Sequence, residues 1–304
     1  MCEECGCGLP GPTRIDGKPA ADVVSPLIVE PKPSGNLHHE HVHEHTHGDH
    51  THEHPHVHDH DHPHTHTHEH PHGHDHEDET PRQTIQLHQS VFAANDRLAE
   101  RNRGFFSALG LLVLNVLSSP GSGKTTLVQK TIEKLGQPDR IGVIVGDLET
   151  DNDARRLRAS GANVVQITTG TLCHLDAEMI ARAMGNLNAR ELDMLFIENV
   201  GNLVCPSSFD LGEGVRIAIL SVTEGEDKPL KYPPLFHSAD VVIISKSDLA
   251  VAAEFDRETA LLNITRVNPR ARVFEVSAKK DQGMDAWCDY LKELRAALGA
   301  ALHP

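Results

Sequence analysis

The stretch Leu111-Leu-Val-Leu-Asn-Val-Leu117 runs without a break into Ser118-Ser-Pro-Gly-Ser-Gly-Lys-Thr125. An apolar strand that feeds a glycine-rich turn and then a helix fits few architectures. Backbone N–H groups in such a turn converge on phosphate oxygens at the helix N-terminus. Pro120, Gly121, Ser122 and Gly123 supply the turn, Lys124 brings a point charge to the β- and γ-phosphates, and the Thr125 hydroxyl can ligate Mg²⁺, with Thr126 following. Ser118 occupies the place of the first glycine in the usual G-x-x-x-x-G-K-[ST] pattern. The two glycines nearest the phosphates and the Lys-Thr pair remain, so the departure is mild. A glycine-rich turn without a ligand is the competing account, and the strand-to-helix context argues against it.

The rest of the chain agrees with a parallel sheet and crossover helices. Apolar runs predict strands at 111–118, 140–147, 163–168, 193–200, 215–222, 240–246 and 272–277. Helices are expected near 124–135, 151–160, 176–187, 251–267 and 284–300. Met284, Trp287, Cys288 and Leu291 fall at i, i+3, i+4 and i+7, which makes Cys288 a buried core thiol. From Thr84 to Leu109 an approximate helical stripe should pack on the domain edge. The expected class is α/β, a P-loop NTPase fold whose mostly parallel sheet is flanked by helices.

Residues 1–80 read differently. Of 24 histidines only His88, His174, His237 and His303 lie outside residues 38–76. Residues 1–80 hold 16 acidic and 3 basic side chains, and the remainder 28 and 25, so nearly all of the net −16 belongs to the N-terminal part. Such a segment has too little apolar surface to offset chain entropy. It is expected to be a disordered, Cys- and His-rich tail ahead of a globular domain spanning 81–304. The mildly acidic domain offers no basic face for nucleic acid. No apolar run approaches membrane-spanning length, and the N-terminus lacks an export signal, so a cytoplasmic protein is expected.

Two strand ends address the base of a nucleotide. Ser245-Lys246-Ser247-Asp248 resembles the N-K-x-D element of GTPases with Ser in place of Asn. Its aspartate can accept from guanine N1–H and the exocyclic amine, a donor pair that adenine lacks. Lys246 would lie along the base. Ser277-Ala278-Lys279 is similar to the loop that closes over the base, and together the two favour GTP over ATP. Two further strand ends carry carboxylates, Asp147 and Glu198, which should face the phosphates and Mg²⁺ because ligands sit outside the carboxyl ends of such strands. Lys124 and Asp147 are the expected catalytic pair. The alternative for each carboxylate is a helix cap.

Soft ligands fall on the same edge: Cys173-His174 after the third strand and Cys205-Pro206 after the Glu198–Gly201 segment. Thiolate and imidazole suit Zn²⁺ or Ni²⁺, with a fourth place left for water or a second subunit. Incidental burial is the other reading. Cys2, Cys5 and Cys7 put three thiols within six residues, and either a metal loop or a redox pair would use them. The 38–76 tract can ligate metals in shifting combinations, but its composition does not name the metal. A tag, or a pH-sensing or solubilising tract, is the weaker explanation.

Taken together, Ser118–Thr125, Gly146-Asp147, Cys173-His174, Glu198–Pro206, Lys231-Tyr232-Pro233, Ser245–Asp248 and Cys2–Cys7 resemble the hydrogenase nickel-incorporation GTPase family, HypB, of the SIMIBI class. The resemblance spans 84–304 almost throughout. It implies a GTPase that forms a homodimer with nucleotide and binds nickel through Cys2, Cys5 and Cys7 and through Cys173, His174 and Cys205. It further implies that the protein works with other hydrogenase maturation factors and helps deliver nickel to the hydrogenase large subunit. Family members with a histidine tract use it for nickel storage. The urease-maturation GTPases are the nearest alternative, but they carry Cys-Pro-His where this chain has Cys205-Pro206-Ser207. A passive nickel store with a vestigial P-loop is the non-enzymatic alternative.

Overall fold

The computed structural model describes residues 13–27, 40–47, 50–57 and 81–302, with side chains over 13–27 and 92–300. Cys2, Cys5 and Cys7 lie outside the described residues, as does much of the histidine tract. The chain divides into two units, residues 29–84 and the remainder. In the smaller unit β3 (Glu40–His47) and β4 (His50–Val57) pair antiparallel.

The larger unit opens with β1 (Arg14–Ile15) and β2 (Lys18–Pro19), then α1 (Pro81–Leu109, in this unit from Ile85), β5 (Leu112–Leu117) and α2 (Lys124–Leu135). It continues with β6 (Ile141–Asp147), α3 (Asn152–Arg158), β7 (Asn163–Thr168), α4 (Ala177–Ala183) and β8 (Met194–Glu198). After β9 (Val215–Ser221) come α5 (Lys228–Lys231), α6 (Pro233–Ser238), β10 (Val241–Ser245), α7 (Arg257–Val267), β11 (Arg272–Val276) and α8 (Met284–Leu302). The sheet order is β11-β10-β9-β5-β8-β6-β7-β1-β2. Every pairing from β11 to β7 is parallel, as the alternation of strands and helices requires.

Strand periodicity divides the core between two faces. Leu112, Leu114 and Val116 pack with Leu127, Val128 and Ile132 of α2 and with Trp287 and Leu291 of α8. Val113, Leu195 and Ile197 turn the other way, toward Phe106 of α1 and Ile180 of α4. Burying each such side chain contributes roughly 1.5–3 kcal/mol. Cys288 sits in the first layer, and burial pushes its thiol up to about 11, as expected of a core cysteine.

Asn115, which interrupts the apolar run of β5, donates from Nδ2 to Glu213 Oε1 (3.0 Å) and accepts from Asn199 Nδ2 (3.3 Å). Glu213 in turn pairs with Arg216 at 2.7 Å. Where its side chains are described, the stripe expected at 84–109 packs on the domain through Phe105, Phe106 and Leu109, and polar pins help it. Asn95 donates to Asp210 O (2.8 Å) and accepts from Ala177 N (2.9 Å), and Asn102 donates to Ala177 O and Leu211 O.

Element ends shifted where local chemistry decided them. The helix expected at 251–267 begins only at Arg257, because Asp256 caps it by accepting from Thr259 N (3.0 Å). The expectation of a structureless tail over 1–80 fails for residues 13–27. Asp16 (φ 47°) and Gly17 (φ 81°) make a two-residue hairpin of β1 and β2, with positive φ at both central positions. Asp-Gly was its legible signal. Ile15 is fully buried and Val23 nearly so in the β7–α4 layer, so a short apolar set anchors a segment whose overall composition is polar.

Candidate functional site

The P-loop forms where β5 meets α2. Gly121 (φ 73°) and Gly123 (φ 102°) hold backbone angles closed to most side chains, and Gly123 caps α2 with no side chain in the way. Ser118, in place of the first glycine, is fully buried and works inside the loop. Its hydroxyl accepts from Lys124 Nζ (3.0 Å) and from the Ser122 hydroxyl. Lys124 is thereby held across the turn. Burial lowers its pKa while the neighbouring Glu198 opposes that shift.

A cavity of about 380 Å³ opens above this loop, and Lys124, Thr125, Asp147, Glu198 and Gly201 line it. Glu198, 2% exposed, accepts from the Thr125 hydroxyl at Oε1 (2.7 Å). Its Oε2 is buried and, among the described residues, has no partner. Burial pushes this carboxyl up to about 7, with Lys124 and Thr125 pulling it back. A hydroxyl and an unsatisfied buried carboxylate oxygen side by side fit a hard cation such as Mg²⁺. Asp147 accepts from the backbone N–H of Glu149 and of Thr150, both 2.9 Å, which folds the following loop over its own carboxylate. At Gly201 the segment after β8 passes so close to the P-loop that a Cβ would stand 3.0 Å from Pro120 Cα. Arg156 on α3 and Glu224 were not singled out from sequence. Arg156 lines the phosphate cavity and donates to Thr126 Oγ1 (3.3 Å), and Glu224 accepts from the Ser119 hydroxyl (2.6 Å).

A second cavity, about 200 Å³, adjoins the first on the β10–β11 side, lined by Lys246, Asp248, Ser277 and Ala278 among others. Ser245 donates to Ser122 O (2.8 Å) and Lys246 Nζ to Gly121 O (2.7 Å), so this base-side segment is tied to the phosphate loop. Lys246 adopts φ 57°, the left-handed turn that swings Asp248 into the cavity wall. The Ser277 hydroxyl donates to Asp248 Oδ1, fixing a carboxylate that can accept two parallel N–H bonds. All the residues expected to contact nucleotide thus come together around two joined cavities.

The soft ligands are arranged otherwise. His174 stacks on Phe209 (centroids 3.9 Å, planes 15° apart), and Phe209 meets Phe92 of α1 at 5.3 Å. Burial lowers the His174 pKa to about 4, so the imidazole is neutral at pH 7, the form that ligates a metal. Its Nδ1 is buried and, among the described residues, without a hydrogen-bond partner. Cys173 and Cys205 are half-buried. Among the described residues no three His, Cys, Asp or Glu side chains come close enough to hold an ion. The expected Cys173/His174/Cys205 cluster is therefore not assembled within this chain in this conformation.

The strand–glycine turn–helix at the sheet's carboxyl edge defines a P-loop nucleotide-binding protein. Residues 112–275 match the profile of the CobW/HypB/UreG nucleotide-binding domain. The hydrogenase maturation factor HypB of Azotobacter chroococcum mcd 1 is 53% identical over 70% of this chain and 70% of its own length. That of Escherichia coli K12 is 49% identical over 71% and 74%. HypB from Helicobacter pylori, solved in complex with nickel, superposes with a TM-score of 0.64 at 41% identity, covering 67% of this chain and 96% of that one. HypB from Archaeoglobus fulgidus gives 0.63 at 41%, covering 67% and 99%. The chain belongs to the HypB family of hydrogenase maturation factors. Among the described residues no helix is long and apolar enough to cross a membrane.

Proposed function

We propose that this chain is a GTP-hydrolysing nickel metallochaperone that binds, stores and delivers nickel for the maturation of [NiFe]-hydrogenase. The observation that carries the reading is the fixed Asp248 carboxylate in a base-sized cavity joined to a P-loop, on the sheet edge that also bears Cys173, His174 and Cys205. Asp248 reads guanine, and Lys246 and Ala278 flank the ring. Gly121, Ser122, Gly123 and Thr126 surround the phosphates with backbone and hydroxyl donors. Lys124 neutralises charge that builds on the β–γ bridge as the bond breaks, which preorganised donors do without reorganisation. Thr125, Asp147 and Glu198 would hold Mg²⁺, which when bound withdraws charge from the β- and γ-phosphates. Asp147 positions the attacking water.

Nickel is the cargo. The tail over 1–80 captures and stores it through Cys2, Cys5 and Cys7 and the histidine tract, and the G domain over 81–304 holds it at Cys173, His174 and Cys205. Zn²⁺ can occupy that last site. A partner chain in a GTP-dependent homodimer, or a shift of the 199–205 segment, completes the coordination, consistent with its absence from one chain. Other maturation factors and the hydrogenase large subunit receive the metal, in the cytoplasm. The competing assignments are a urease-type insertion GTPase and a passive store, and the second lacks steady-state, Mg²⁺-dependent GTP turnover.

The test compares Ni²⁺ dissociation constants with GDP and with a non-hydrolysable GTP analogue. It uses full-length chain with Cys2, Cys5 and Cys7 changed to Ser and the 38–76 histidines to Asn. Coupling of the usual size predicts affinities about 5–150-fold apart, and GTP affinity must respond to nickel by the same factor. Equal affinities in both nucleotide states would sink nucleotide-gated release.

A further inference from the structure

Four polar side chains, Asn199, Asn115, Glu213 and Arg216, form one connected set of bonds across the sheet. Strand register places Asn115 of β5 beside Arg216 of β9. Asn199, just past β8, accepts at Oδ1 from Leu175 N (3.2 Å) and donates from Nδ2 to Asn115 Oδ1 (3.3 Å). Asn115 donates in turn to Glu213 Oε1 (3.0 Å), which also accepts from Arg216 Nε (2.8 Å). Arg216 then reaches two backbone carbonyls, with Nη1 donating to Ser207 O and Nη2 to Phe209 O, both at 3.1 Å. Asn115 and Asn199 are fully buried, Glu213 nearly so, and only 14% of the Arg216 side chain is exposed.

The two ends of this set are the two halves of the soft-ligand position. Leu175 directly follows His174, while Ser207 and Phe209 follow Cys205 by two and four residues, in the turn Cys205–Ser208 and just after it. Phe209 makes a second link, because its carbonyl is held by Arg216 and its ring stacks on His174 at 3.9 Å. Residues 200–206 are thus a short loop with both ends held from beneath, one at Asn199 and the other at Ser207. A buried ion pair adds little stability over apolar residues of the same volume, so stability alone does not account for Arg216 and Glu213 here. A planar guanidinium can face one carboxylate and two carbonyls in fixed directions at once. We propose that Arg216 is a positioning residue for the soft-ligand position: braced by Glu213, Asn115 and Asn199, it fixes the ends of the 200–206 loop so that Cys205 reaches a soft divalent cation held by Cys173 and His174. This rests on the proposed function, in that those three residues must bind the ion.

The experiment titrates Ni²⁺ into full-length chain with Cys2, Cys5 and Cys7 changed to Ser and the 38–76 histidines to Asn, which serves as the parent. In Arg216→Lys an ammonium still faces Glu213 but cannot hold both carbonyls, so the nickel dissociation constant should rise about 10–100-fold, as when a residue that orients metal ligands is lost. GTP affinity should not change. Arg216→Met combined with Glu213→Gln removes the two buried charges together, leaves no unpaired carboxylate to unfold the chain, and should weaken nickel binding to a similar extent. Non-additivity separates positioning from general damage: Cys205→Ser should weaken nickel binding strongly in the parent and little in Arg216→Lys, where the thiol is no longer brought to the ion. Thiolate-to-nickel charge-transfer absorption should fall in step. Trp287→Phe, in the layer on the other face of the sheet, controls for lost stability and should leave nickel affinity as it is. Undiminished nickel affinity in both Arg216 variants, or an equal loss in Trp287→Phe, overturns the positioning role. Parent affinity that responds to neither Cys173→Ser nor Cys205→Ser overturns the underlying reading, and the positioning role with it.

Discussion

The nucleotide end and the soft-ligand end of the sheet edge are built on opposite plans. At the nucleotide end, loops from β5, β10 and β11 are locked to one another by side chains: Ser245 to Ser122, Lys246 to Gly121, Ser277 to Asp248. At the other end His174 rests on Phe209, and among the described residues its Nδ1 has no hydrogen-bond partner and the two cysteines are not gathered with it into an ion site. A phosphate cradle must exist before its ligand arrives, because preorganised dipoles act without paying reorganisation in the transition state. Under the proposed delivery role, a metal position must instead be able to let go. Leaving part of the coordination to a moving segment or a second chain makes release possible.

Lys124→Ala gives the largest expected separation of the two ends. It removes the buried cation of the phosphate cavity and should lower kcat/KM for GTP by roughly 10²–10³. Nickel bound by the nucleotide-free G domain should not change. Loss of that nickel in parallel would mean the two ends are one cooperative site, and titration of metal and nucleotide on the same sample decides it.

Asp248→Asn has a smaller effect and a sharper one. The amide cannot accept both guanine donors, so GTP affinity should fall by about 1–3 kcal/mol, or 5–150-fold. Xanthine nucleotide should gain, since the amide N–H meets the xanthine carbonyl. Equal GTP affinity in parent and variant, measured by competition, would remove Asp248 from base reading.

The smallest effect is a control at the amino ends of the strands. Arg140 and Arg295 bond the Asp193 carboxylate and hold it down to about 2. A depressed carboxyl stabilises the fold above its ordinary range near 4 and loses that contribution as pH falls toward 2. The group is partly exposed, so Asp193→Asn should cost below about 1 kcal/mol at neutral pH. Melting temperature should then depend less steeply on pH between about 4 and 2. A slope identical to the parent's would show that the ion pair adds nothing, and any change in GTP or nickel affinity would extend the functional region through the sheet.

The P-loop, the strand–helix alternation, the Ser245–Asp248 and Ser277–Lys279 segments and the two carboxylates at strand ends were legible in the sequence. Each is a contiguous run whose chemistry is local: glycines permit the turn, and period-two apolar residues set the sheet faces. What depends on distant partners became visible in the folded chain alone. Asn115 became legible once Glu213 and Asn199 were seen beside it, and Ser118 once its hydroxyl was seen to hold Lys124. The 13–27 arm escaped a reading by composition because two buried apolar side chains and one well-bonded aspartate anchor it, too few to shift an average over 80 polar residues. Cys173, His174 and Cys205 share an edge by topology, but whether three side chains converge is set by loop conformation, and loops carry no periodicity from which convergence can be read.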